Sequence, residues 1–152
     1  MSPAKFSKFL LVKLPIAWLA GVRLQQISDT EATTTVKLHR MSQNPFRSIF
    51  WAVQGMAAEL STGVQLFRYM EQSGRQYSML VTEQQAFFSK KAVGRCEFTC
   101  TDGELLRQAM EEAFESKTPQ SIRVSSVGTD ESGDRVSEFF FTWSIKARDK
   151  QK

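Results

Sequence analysis

Residues 49–72 read IFWAVQGMAAELSTGVQLFRYMEQ, which is the longest stretch of helical periodicity in the chain. Apolar side chains recur there at spacings of three and four residues, as on one face of a helix. These are Phe50, Val53, Ala57, Leu60, Val64 and Phe67. A second stripe is mostly small: Ala52, Gly55, Glu59, Thr62 and Gly63. The two stripes predict a helix that is enclosed on most sides, with Ser48 as its N-cap.

Predicted strands lie on both sides of this helix. Residues 22–39 alternate around a turn at 28–30 and predict a hairpin. Residues 77–101 predict two strands, and residues 120–147 predict a hairpin around 130–134. Between them, residues 101–104 read TDGE, a capping box that predicts a short second helix. We therefore expect an α+β fold in which hairpins connect most strands of an antiparallel sheet around a buried helix.

The amino-terminal segment has a pattern of its own. Residues 5–20 read KFSKFLLVKLPIAWLA, and their positive start and apolar stretch are partly those of a signal peptide. Lys13 and Pro15 interrupt that stretch, so we expect instead an amphipathic helix over 1–19 that packs on the domain. A membrane-surface helix is the alternative, and three lysines are too few to favour it. Residues 148–152 are expected to fray.

Composition excludes several classes of function. The 152 residues correspond to a single domain, 1–152. The net charge of +4 belongs to the ends, because residues 29–145 carry 12 basic and 15 acidic residues, so we expect no nucleic-acid partner. One histidine (His39) and two cysteines cannot supply a tetrahedral zinc site of nitrogen and sulfur ligands. No apolar run is long enough to span a bilayer, so we expect no stable membrane insertion. Free thiols without an export signal favour the cytoplasm.

The residues around the start of the long helix resemble a known family, the hotdog-fold thioesterases of the phenylacetate-pathway and hydroxybenzoyl-CoA types. Those enzymes carry an Asn or Gln before the helix, a His-Gly or other Gly at its start, and an Asp or Glu fifteen residues after the first position. Asn44 and Glu59 match the outer positions, whereas Phe50 and Trp51 replace the His and Gly. Residues 88–94, FSKKAVG, resemble the family's next strand. The resemblance covers about residues 20–148 and implies a curved antiparallel sheet of about six strands wrapped around the long helix.

The resemblance also implies a chemistry and a partner. The expected activity is hydrolysis of an acyl-CoA or another acyl thioester, with coenzyme A as part of the substrate and no cofactor. Glu59 would act as base or nucleophile, Asn44 would polarise the carbonyl or orient water, and a backbone N–H at Phe50-Trp51 would bind the oxyanion. The remaining predicted substrate contacts are Gly55, Thr62, Gly63 and Phe88, with Lys90, Lys91 and Arg95 for the phosphates of coenzyme A. In this fold the pocket lies between subunits, so we expect a homodimer or a tetramer.

Each of these residues also has a simpler interpretation. Glu59 could be a solvated residue of a polar stripe or bind across an interface, and Asn44 could belong to an Asn-Pro turn. The three cations could be a solvated strand edge that discourages edge pairing. Phe50 and Trp51 could be core aromatics. The protein would then be a non-catalytic acyl-thioester-binding or interaction module. Cys96 and Cys100 are expected to be inert core thiols.

Overall fold

The structure, a computed structural model, describes residues 2–148. Four helices and six strands follow one another as α1 (Pro3–Lys13), α2 (Pro15–Leu19), β1 (Arg23–Ile27), β2 (Ala32–Lys37), α3 (Trp51–Ser73), β3 (Gln76–Phe88), β4 (Arg95–Cys100), α4 (Gly103–Ser116), β5 (Gln120–Thr129) and β6 (Arg135–Arg148). The fraying predicted over 148–152 is wrong for Arg148, which is the last residue of β6, and the rest of that prediction, 149–152, lies outside the described residues. No helix within residues 2–148 is both long enough and apolar enough to cross a membrane.

The strands form one antiparallel sheet in the order β1-β2-β4-β5-β6-β3. The sheet curves around α3, which packs mainly against β2, β4 and β5. This arrangement confirms the α+β fold that the resemblance implies. The long helix buries Val53, Ala57, Leu60 and Val64 as its periodicity predicts.

Two of the three predicted strand pairs are hairpins. β1 pairs with β2 and β5 pairs with β6. Hairpins therefore join most strands, as expected, whereas β3 and β4 follow one another in the chain without pairing. β4 lies between β2 and β5, and β3 forms the opposite edge of the sheet beside β6. β3 therefore has one strand neighbour along its 13 residues.

Both helix starts differ from the predicted caps. α3 begins at Trp51 with Phe50 as N-cap, because the backbone carbonyl of Ser48 accepts from Asn44 N–H at 2.9 Å and holds the preceding residues in a turn. α4 has Asp102 as N-cap, but its carboxylate does not cap the helix. It accepts instead from the backbone N–H of Ser125 on β5 at 2.8 Å.

The amino-terminal segment is two helices rather than the single helix predicted over 1–19. Pro15 ends the helical hydrogen bonding of α1, since it has no N–H to donate, and it begins α2 at a position that proline favours. Phe6 and Leu10 are buried. The centroid of the Phe9 ring lies 5.2 Å from that of the Phe67 ring, so the segment contacts α3.

Candidate active site at the start of the long helix

A cleft of about 380 Å³ lies beside the amino end of α3. Its walls come from the loop before α3 and from the segment after β3, which a hydrogen bond from Ile49 N–H to the Ala92 carbonyl holds together at 2.8 Å. Five of the residues predicted from the sequence line it together: Asn44, Trp51, Phe88, Lys90 and Lys91.

The start of α3 presents backbone donors next to this cleft. Phe50 makes no side-chain cap, and within residues 2–148 the N–H groups of Trp51 and Ala52 have no hydrogen-bond partner. The first N–H groups of a helix carry the positive end of its dipole. This helix start can therefore stabilise a negative charge that develops on a carbonyl oxygen.

Phe50 and Trp51 are not core aromatics. Phe50 is 41% exposed and Trp51 is 56% exposed. Their rings meet edge to face with centroids 5.7 Å apart. Their hydrophobicity suggested burial, but the turn before the helix places both side chains at the surface of the subunit.

Asn44 holds the shape of the loop before α3. Its Oδ1 accepts from the N–H groups of Phe46 at 2.9 Å and Ser48 at 3.2 Å, and its Nδ2 donates to Ser48 Oγ at 3.1 Å. These contacts are those of the turn residue that the simpler interpretation describes. The side chain still lines the cleft, and Nδ2 retains a second hydrogen that no described residue accepts.

Glu59 lies on α3 about two turns beyond Trp51 and is partly buried. Burial raises the pKa of its carboxyl group from 4.5 to about 7. No side chain among residues 2–148 forms a hydrogen bond or an ion pair with it. A Cβ added at Gly63 would lie 3.7 Å from Glu59 Oε1 and from the Trp143 ring. The carboxyl group therefore faces small and aromatic neighbours in a surrounding that favours its protonated form.

The other small residues of this stripe hold α3 against β6. Thr62 Oγ1 donates to the Glu59 carbonyl at 2.8 Å and accepts from Trp143 Nε1 at 3.0 Å. Gly55 faces Phe139, which would lie 3.5 Å from an added Cβ. The close neighbour that the small stripe accommodates is thus a strand of the same subunit. Gly55, Thr62 and Gly63 border Glu59 without lining the cleft.

Helix geometry separates the two parts of the predicted site. Glu59 follows Trp51 by eight residues, which corresponds to about 12 Å along α3. A single thioester carbonyl cannot contact the N–H group at the helix start and the carboxylate of the same chain. The two groups can meet on one substrate only if a second subunit supplies one of them.

The three predicted phosphate-binding cations lie in different surroundings. Lys90 Nζ is held by Asp130 at 2.6 Å and Asp134 at 2.7 Å. Arg95 pairs with Glu97 on β4 and lies outside the residues that line the cleft. Lys91 lines the cleft, is exposed, and has no acidic partner in the part of the chain that the structure describes.

Sequence reasoning missed Gln54, a polar residue that lines the cleft while being almost fully buried. Its Nε2 donates to the Ile49 carbonyl at 3.0 Å, and its Oε1 accepts from Ser137 Oγ at 2.9 Å. Gln54 thus ties the first turn of α3 to β6. The sequence did contain a signal for Gln54, because this polar residue directly follows Val53 and lies beside the apolar face of the helix. Within residues 2–148, no cluster of three His, Cys, Asp or Glu side chains could hold a metal ion.

Known proteins share this architecture. Residues 3–145 match the sequence profile of the family described as Domain of unknown function (DUF4442), and no curated protein matches the chain. A Pseudomonas aeruginosa protein of unknown function, named a probable thioesterase, is 21% identical with a TM-score of 0.79 over 97% of each chain. A Chlorobaculum tepidum protein of unknown function is 18% identical with a TM-score of 0.81, over 97% of this chain and 98% of that chain.

A third similar structure is a variant of a Staphylococcus aureus thioesterase in which a glutamine is replaced by alanine. It is 11% identical with a TM-score of 0.62, over 84% of this chain and 94% of that chain. Another structure of the same protein replaces a glutamate fifteen positions further along. At these identities the likeness shows the fold, which is the hotdog fold of thioesterase-like proteins.

Proposed function

The chain belongs to the DUF4442 family and has a thioesterase-like hotdog fold, and on this basis we propose that it hydrolyses acyl thioesters, with acyl-CoA as the substrate. The observation that carries the proposal is Glu59. It is a partly buried carboxyl group with a pKa of about 7 and no partner among the described residues. Most structural carboxylates on a helix are solvated or paired, so an unpaired one with this pKa fits a general base.

The chemistry requires few groups. The thiolate that leaves has a conjugate thiol of pKa ~8.5, so it needs little help from an acid. The ionised Glu59 carboxylate would take a proton from a water that adds to the carbonyl carbon, or would add to that carbon itself, while the N–H of Trp51 from a partner subunit binds the oxyanion. Collapse of the tetrahedral intermediate breaks the C–S bond and releases the thiolate, and after direct attack water hydrolyses the mixed anhydride to free the acid and Glu59. Asn44 would use its remaining Nδ2 hydrogen on the carbonyl or on the water. No step requires His39, a metal or a cofactor.

A homodimer would provide the second subunit through the open edge at β3. This strand exposes Leu80 and Phe87, which are 64% and 55% exposed, and its outer edge has no strand neighbour within residues 2–148. A long, exposed and partly hydrophobic edge pairs readily with another strand. The proposed mechanism requires that this pairing bring the Trp51 end of one subunit toward the Glu59 of the other.

The cleft supports the choice of an acyl-CoA. Trp51 and Phe88 offer apolar surface to an acyl chain, and Lys91, which has no acidic partner within residues 2–148, offers a cation to a phosphate. The buried, reduced Cys96 and Cys100 fit a cytoplasmic enzyme. The fifteen-residue separation of the glutamine and glutamate replaced in the Staphylococcus aureus thioesterase equals that of Asn44 and Glu59.

The test is thiol release from a panel of acyl-CoA substrates. Glu59→Gln should lower kcat by at least ~100-fold, since general bases contribute 10²–10⁴-fold. Two variants at the helix start should separate the backbone donor from the side chain. Trp51→Pro removes the N–H at a position where proline is tolerated, because Phe50 is extended with φ −58° and ψ 136°. Trp51→Ala retains the N–H and serves as its matched control.

A specific pattern of results would contradict the mechanism. Thiol release that survives Glu59→Gln would exclude the carboxylate as base, and equal activity of Trp51→Pro and Trp51→Ala would exclude the N–H as oxyanion donor.

A second candidate is a non-catalytic acyl-thioester-binding module. It is favoured by Trp51, whose large side chain lines the cleft where the resembling enzymes have glycine. It predicts saturable acyl-CoA binding by calorimetry with no thiol release from any member of the panel.

A further inference from the structure

The junction between α1 and α2 exposes five large aliphatic side chains. They are Leu11 at 49%, Val12 at 65%, Leu14 at 39%, Ile16 at 65% and Leu19 at 52% exposure. We call these five residues the N-terminal apolar face. Single exposed aliphatic residues are ordinary, but contiguous exposed apolar patches mark contact surfaces.

The face is held in a fixed position on the domain. Phe6 and Leu10 anchor α1, and Ala17 and Ala20 anchor α2, all four being buried. Pro15 breaks the helix between these two anchors, so that every residue from 11 to 16 is exposed. One side of the segment therefore packs on the domain, and the other side exposes the aliphatic residues. The exposed side chains contribute nothing to the core of this chain.

The charged side chains of the segment that carries the face are all basic. Residues 2–28 contain Lys5, Lys8, Lys13 and Arg23 and no acidic residue. Glu71 on α3 lies close enough to Lys5 to interact with its charge. Among residues 2–148, neither Lys8 nor Lys13 has an acidic partner.

Trp18 adds an interfacial side chain next to this face. It is partly buried, and the Arg23 guanidinium lies 5.1 Å from its ring. Tryptophan rings with a nearby cation are common at the boundary between lipid headgroups and acyl chains. Trp18 therefore also offers a fluorescence signal for contact with lipid.

Three lysines alone did not favour a membrane-surface helix, but the exposed aliphatic side chains supply the contact area that charge alone lacks. We propose that the N-terminal apolar face binds reversibly to the surface of an anionic lipid bilayer. The aliphatic side chains would enter the boundary between headgroups and acyl chains, and Lys5, Lys8 and Lys13 would meet the lipid phosphates. A second copy of the same face is a poorer occupant, because it would bring like charges together. Anionic headgroups match both the apolar surface and the sign of the charge.

The experiment is flotation of the full chain with vesicles of phosphatidylcholine alone and of phosphatidylcholine with phosphatidylglycerol. The wild-type protein should float with the anionic vesicles, and added salt should weaken its binding. The tryptophan emission should shift to shorter wavelength on binding, and Trp18→Phe should remove that shift, since Trp51 and Trp143 also emit. The double variant Val12→Ser/Ile16→Ser should bind at least ~10-fold more weakly, since burying each aliphatic side chain contributes more than a factor of ten. Lys8→Gln should weaken binding by about fivefold.

Leu105→Ser is the matched control, because Leu105 is a similarly exposed aliphatic residue, at 45%, on α4. It should bind anionic vesicles as the wild type does. The proposal is overturned if the wild type fails to float with anionic vesicles, or if the double variant and the control behave alike. Sedimentation gives one more outcome that overturns the proposal. If the wild type does not bind vesicles and is an oligomer, whereas the double variant is a monomer, the face contacts a second copy of the chain instead.

Discussion

Replacing Glu59 by Gln should stabilise the protein at neutral pH. The folded state raises the pKa of Glu59 from 4.5 to about 7, whereas the unfolded chain ionises near the ordinary value. Between these two pH values the unfolded state has lost the proton and the folded state still holds it, so stability falls as the pH rises. The loss is complete above about pH 7 and amounts to about 3 kcal/mol at most, because each pKa unit corresponds to 1.36 kcal/mol.

Urea unfolding at two pH values measures this effect. At pH 4.5 the free energies of unfolding of Glu59→Gln and the wild type should differ by no more than about 0.4 kcal/mol, and at pH 8 the variant should be more stable by up to about 3 kcal/mol. Glu115→Gln is the control, because Glu115 is exposed on α4 and should show no such difference. A Glu59→Gln variant that is less stable than the wild type at pH 8 would refute the reasoning, since the carboxylate would then have a stabilising partner.

Other predictions concern packing and the thiols. Gly103→Ala should lower the free energy of unfolding by about 1–3 kcal/mol, because the added Cβ would lie 2.6 Å from the Asp29 carbonyl oxygen and 2.7 Å from the Thr30 carbonyl carbon, and backbone atoms cannot move aside as a side chain can. Gly55→Ala should instead raise the free energy of unfolding by up to about 1 kcal/mol, since the added Cβ has room and alanine favours a helix. If urea unfolding shows equal effects of the two substitutions, the packing around the two glycines does not differ as described. Burial raises the pKa of Cys96 and Cys100 to about 11, so an aromatic disulfide reagent at pH 8 should label both only after unfolding. Rapid labelling of the folded protein would show that these thiols are accessible.

The sequence predicted the long helix well because its periodicity reports burial directly. The row from Val53 to Val64 faces the core as expected. Strand alternation reports which face of a strand is buried, but it does not report which strand lies beside it. For that reason the sequence predicted that β3 and β4 exist and where they lie along the chain, but not which strands they would neighbour in the sheet.

The candidate site was predictable only in part. The resemblance selected Asn44, Trp51 and Lys91, which do line one cleft. The exposure of Phe50 and Trp51 depends on the hydrogen bonds of Asn44 in the preceding turn, which no composition or periodicity reports. The partnering of Lys90 by Asp130 and Asp134 likewise depends on a contact between segments 40 or more residues apart.

The central claim is that one active site combines the Trp51 N–H of one subunit with the Glu59 carboxylate of another. Mixing two inactive variants tests it most directly. Glu59→Gln retains the helix start and Trp51→Pro retains the carboxylate, so a mixed dimer would contain one complete site. We predict that unfolding the two variants together and refolding them restores acyl-CoA hydrolysis, whereas each variant refolded alone stays inactive. Failure of the mixture to recover activity, while mixed dimers are shown to form, would contradict a site shared between subunits.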